Sequence, residues 1–108
     1  MALILTPTFM DGKNNVSDSA DTLYTVPAST QALVRGIIFS NSTAADLTVI
    51  LVAATIVLLT GKVVPANDSI TMEFPGHGLP LAAAETITAT ASAATGINSV
   101  IYGATRAV

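Results

Sequence analysis

The sequence predicts an all-β domain: a small antiparallel β-sandwich or jelly-roll-like barrel of about 7–8 strands. Three observations carry that expectation. The apolar residues fall in short runs rich in Val, Ile and Thr, which suit a pleated surface. Several runs alternate with period two, as half-buried strands do. Clusters of Pro, Gly, Asn, Asp and Ser separate them about every 8–12 residues.

The elements follow in order. Residues 22–26 (TLYTV) read as a short strand ending at Pro27, and residues 31–40 (QALVRGIIFS) as a longer one. Residues 41–46 (NSTAAD) are a turn cluster. Residues 47–53 (LTVILVA) are apolar on both faces, which predicts a central or doubly covered strand. Residues 56–59 and 62–64 read as short strands on either side of a turn or bulge at Gly61. Residues 69–74 (SITMEF) alternate, with Ile70, Met72 and Phe74 on one face. Two prolines and two glycines in residues 75–81 (PGHGLPL) exclude regular structure there. Residues 81–85 (LAAAE) allow at most one helical turn. Residues 86–92 and 97–102 read as the last strands, with a kink at Gly103 before residues 105–108. Thr25-Val26-Pro27-Ala28 and Val63-Val64-Pro65-Ala66 echo each other as strand–turn–strand corners, and predict equivalent positions in two sheets.

Residues 1–21 break the pattern. Leu3, Ile4 and Leu5 form an apolar cluster before Pro7, and residues 11–21 (DGKNNVSDSAD) are polar and turn-rich. The expectation is an extended N-terminal arm over residues 1–21 and one sandwich domain over residues 22–108. Leu3, Ile4, Leu5 and Phe9 would anchor the arm on its own domain or on a partner.

Composition limits the chemistry. The 108 residues are 51% hydrophobic and 10% charged, against about 25% charged in an ordinary domain. Cysteine is absent and histidine occurs once, so no thiolate nucleophile, zinc–thiolate set or multi-histidine metal site can form. Four basic residues scattered along the chain make no nucleic-acid patch. Residues 47–59 are thirteen uncharged residues, short of the ~17–25 that a spanning helix needs. The start, MALILTPTFM, has no basic region ahead of its apolar run, so no secretory export and no membrane insertion are expected.

Candidate site residues are few. His77, in Pro75-Gly76-His77-Gly78, would need an orienting carboxylate and a nucleophile to act in catalysis. A polar loop position at a subunit contact is the better reading. Asp11, Asp18 and Asp21 lack the spacing of a calcium loop, and Gly76-His77-Gly78 lacks the helix of a phosphate loop. Arg35, inside an apolar strand, is an outward-facing solvated residue or a buried ion-pair partner, and at a subunit interface it would be an anchor. No catalytic residue, cofactor, metal or small-molecule substrate is expected.

The run Leu23-Tyr24-Thr25-Val26-Pro27-Ala28, then Gln31-Ala32-Leu33-Val34-Arg35-Gly36-Ile37 and Ser40-Asn41, continues to Val64-Pro65-Ala66-Asn67-Asp68-Ser69-Ile70. Glu85-Thr86-Ile87-Thr88-Ala89 and Ile101-Tyr102-Gly103 follow. Over residues 22–105 the chain resembles the small all-β structural proteins of tailed bacteriophages, which include capsid decoration (cement) and tail-associated proteins. The resemblance implies a virion protein on the capsid surface, assembled in the bacterial cytoplasm. It implies the major capsid protein as partner, a homo-oligomer (trimer or dimer), and no enzyme activity. The alternative is a tail- or fibre-associated module for attachment or receptor/carbohydrate binding, using loop residues such as His77 and Tyr24. The low aromatic content, 5% with no tryptophan, argues against a sugar platform.

Overall fold

The computed structural model describes residues 8–76 and 78–108. The described chain forms nine strands: β1 (Thr8–Lys13), β2 (Asp21–Thr25), β3 (Thr30–Asn41), β4 (Leu47–Ala53), β5 (Ile56–Val64), β6 (Ser69–Glu73), β7 (Leu79–Leu81), β8 (Thr86–Ala91) and β9 (Ile97–Ala107). They make two antiparallel sheets, one in the order β1-β9-β3-β6 with β7 also on β3, the other in the order β2-β8-β4-β5. The pairs β1–β9, β2–β8, β3–β6 and β4–β5 are nested one inside the next. The chain is therefore one long hairpin, closed at the β4–β5 turn and rolled into two layers, which is the jelly-roll arrangement of a sandwich.

Alternation places the core. Val49, Leu51 and Ala53 of β4, Ile87, Ala89 and Ala91 of β8, and Leu23 of β2 point inward from one sheet. Val34, Ile37 and Phe39 of β3 and Ile97 and Ile101 of β9 meet them from the other. Each fully buried aliphatic or aromatic side chain contributes about 1.5–3 kcal/mol by leaving water. Between Ile97 and Ile101, Ser99 is also buried, and its hydroxyl has no hydrogen-bond partner among the described residues.

Of the expected arm, residues 8–21 lie on the chain's own domain. β1 pairs with β9 from Thr8↔Gly103 to Lys13↔Ser99, as an edge strand of the first sheet. Val16, in the loop that follows, is fully buried, and its N–H donates to Ile97 O at 2.7 Å. Asn15 secures the loop, since its N–H donates to Asn98 Oδ1 while its own Oδ1 accepts the Gly96 N–H. The Lys13–Asp21 ion pair, 3.3 Å, then ties β1 to β2 in the opposite sheet. A stretch that is mostly polar in sequence is thus built into the sandwich by the buried Val16 and by its backbone.

Three other elements are longer or more regular than their sequence suggests. β5 runs unbroken through Gly61, whose φ of +67° lies at a register shift against β4. β9 runs unbroken through Gly103. Residues 79–81, expected to be irregular, form β7, with Pro80 opposite Leu33. An edge strand tolerates a proline because the missing N–H would face away from its neighbour. Residues 82–85 form a turn with Ala84 at φ 70°, not a helical turn.

The two echoing corners perform the same task. Each carries the chain from the second sheet to the first, β2 to β3 and β5 to β6. Each sets a buried valine before its proline, Val26 or Val64, and a positive φ two residues after it, at Ser29 or Asn67. Beside the second corner Asn41 is buried with its amide fully used. Its Nδ2 donates to Ala45 O and Val64 O, and its Oδ1 accepts from the N–H and hydroxyl of Thr43.

Candidate functional site

Two outer faces remain once the core is filled. On the second sheet, register sets Thr22, Thr88, Val52 and Val57 in one row across all four strands. Thr90 and Ile50 lie in the next row, and Thr48 and Val63 in the one beyond. None of these positions is charged. Ile50, Val57 and Val63 are 40, 56 and 46% exposed, and Ile56 at the β4–β5 turn 63%. The doubly apolar pattern of β4 is explained here: it is a central strand, covered on its inner face, with its outer apolar side chains facing out. The thirteen uncharged residues 47–59 are this hairpin, and among the described residues no helix is long and apolar enough to cross a membrane.

The outer face of the first sheet carries charge at Arg106, opposite Gln31, and at one cluster in the middle of β3. Arg35 is an extra residue in β3, at a bulge where the register against β9 passes from Val34↔Gly103 to Gly36↔Tyr102. At the same level the other neighbour of β3 changes from β6 to β7. Phe74 N–H donates to Arg35 O there, and Gly78 turns so close to Val34 O that a Cβ would lie 2.5 Å from it. The bulge exposes Arg35 at a shallow cleft lined by Glu73, Phe74, Pro75, Gly76 and Tyr102. Gly36 is the floor: the Tyr102 ring lies across it, leaving no room for any side chain.

The cleft gathers one guanidinium, one carboxylate and one phenol. Such a set can bind a charged or polar surface, and it includes no hydroxyl–imidazole–carboxylate relay among the described residues. No group of three or more metal-ligating side chains occurs among them either. Asp21 is committed to Lys13 and to the Ser17 N–H. Asp11 lies near Tyr24, where burial and then the Asp11 carboxylate push the Tyr24 phenol above its ordinary pKa.

Of the residues singled out in the sequence, Arg35 is thus in an exposed cleft. Phe9 lies in β1, opposite Tyr102 of β9. Leu3, Ile4, Leu5 and His77 lie outside the described residues. Glu73 and Tyr102 escaped sequence reasoning because they are 29 residues apart on strands that meet only through β3. The clue available was Gly36, a glycine within a strand, which often marks the close approach of another group.

No family model, no curated protein and no solved structure matches this chain.

Proposed function

We propose that the chain is a non-enzymatic structural protein of a virion, a capsid decoration (cement) protein. It binds the outer shell through the uncharged face of β2-β8-β4-β5 and stabilises contacts between subunits of the major capsid protein. The observation that carries this reading is the concentration of exposed Ile50, Ile56, Val57 and Val63 on β4 and β5, on a sheet face without charge. Contiguous exposed apolar surface marks an interaction site, and charge depletion marks the centre of a protein interface. Jelly-roll sandwiches recur in viral capsid and lectin domains, an analogy at the level of fold that assigns no site.

The second reading, a tail- or fibre-associated attachment module, draws on the Arg35–Tyr102 cleft, whose polar groups suit a small polar ligand. Cosedimentation with purified phage shells tests the first. Val57→Lys and Ile50→Lys change exposed side chains, so the fold is retained while shell binding is expected to fall at least about tenfold. Unchanged binding by both variants overturns the proposal. Saturable glycan binding that Arg35→Ala abolishes would establish the second reading in its place.

A further inference from the structure

Charged side chains in this protein are mostly spoken for. Lys13 pairs with Asp21, Arg106 Nε donates to Gln31 Oε1 at 2.6 Å, and Asp46 and Glu85 accept the N–H groups of Ala66 and Ala82. Among the described residues Asp18, Arg35, Lys62 and Glu73 have no such partner, and of these four Arg35 and Glu73 are the two that lie together. They share one sheet face and one cleft, yet among the described residues neither side chain has an ion pair or hydrogen bond. Two opposite charges held side by side but apart form a self-complementary pattern. A two-fold rotation of the patch lays each on the opposite charge of its copy.

We propose that this face docks on the same face of a second copy of the chain, through two reciprocal Arg35–Glu73 ion pairs about an axis beside Tyr102. The surroundings fit such a contact. Tyr102 is held flat over Gly36, so it offers a broad ring at little cost in side-chain entropy. Ile38 and Val100 face each other in register one row away, both half-buried, and supply apolar area that a partner would finish covering. Arginine and tyrosine are the residue types that dominate interface energetics. An anionic partner would meet repulsion from Glu73, and a cationic one from Arg35. A second copy satisfies both. The second sheet stays free on the far side of each subunit, so this inference goes beyond the shell-binding proposal and does not depend on it.

Sedimentation equilibrium of the full chain, from low micromolar to millimolar concentration and without shells, tests it. A dimer is expected, weakened by added salt. Arg35→Glu and Glu73→Arg, each placing like charges together twice, are expected to weaken it at least about 100-fold. The double variant, which restores opposite charges across the axis, is expected to recover the dimer to within about tenfold. Arg35→Gln and Glu73→Gln give intermediate losses without reversing a charge, and circular dichroism confirms the fold of each variant. A wild-type chain that stays monomeric, single variants that dimerise as well as wild type, or a double variant that fails to recover would each overturn the proposal. A monomer whose shell binding depends on Arg35 would overturn it too, and would assign the cleft to the shell.

Discussion

Among the described residues Ser99 is the buried polar side chain left unpaired, on the inner face of β9 between two isoleucines. A buried donor without a partner costs about 1–3 kcal/mol. Ser99→Ala removes the hydroxyl and leaves only a small void. It is expected to raise stability by about 1 kcal/mol, read as a higher denaturant midpoint at unchanged slope. A fall in stability would mean that the hydroxyl has a partner in solution. Asn41 is the contrast: equally buried, but with all of its amide atoms engaged at the corner between β3 and β4. Neither difference was legible in the sequence. Asn41 opens a turn cluster and Ser99 sits in an alternating strand, and each looks ordinary until its neighbours from distant strands are known. Arg35 was legible as an oddity, a charge within an apolar strand, but its exposure comes from a bulge that local pattern does not reveal.

At the scale of elements, β1 and its following loop carry the clearest lesson. The polar run over residues 11–21 suggested an arm because backbone pairing has no sequence signature of its own. β9 supplies the hydrogen-bonding edge, and Val16 is fully buried in the core with its N–H donating to Ile97 O. Deleting residues 1–20 removes an edge strand and leaves a hole at Val16. The expected loss is more than about 3 kcal/mol, the sum of a large core truncation and lost ladder bonds. Thermal unfolding followed by circular dichroism checks it, and a truncated domain as stable as the full chain would return these residues to the status of a detachable arm. Three strands were legible almost to the residue: β6 by its alternation, and β4 and β8 by β-branched runs bounded by turn clusters. β7 was not, because its proline and the glycines before it forbid a strand locally, and the edge of β3 makes one anyway.

The whole molecule is organised by nested pairs whose partners lie far apart in sequence, the outermost joining Thr8 to Gly103. Closing such loops costs entropy before any contact forms, so refolding is expected to take about milliseconds to seconds, as in other sandwiches. Stopped-flow refolding measures this, and a microsecond phase accounting for the full amplitude would contradict the topology. The same nesting leaves two broad sheet faces on opposite sides of the molecule. One is uncharged and mixes exposed aliphatic side chains with threonines; the other carries the Arg35–Glu73 couple, which has no partner among the described residues. A small domain with so few charges has little with which to keep both faces wet, which is why each is read as a surface for another subunit.

By itself the sequence determined the class of fold: the two-residue period, the turn clusters and the β-branched runs admit antiparallel strands and exclude long helices. It also determined what chemistry is missing, since thiolate and multi-histidine sites need residues the chain lacks. The tertiary structure decided the rest, because each remaining feature is a relation between distant residues. Rolling the long hairpin fixed the strand order, drew β1 into a sheet and brought Arg35, Glu73 and Tyr102 to one cleft. It also divided the apolar side chains between core and surface: alternation marks two faces of a strand, but only packing of the second layer determines which of them is covered.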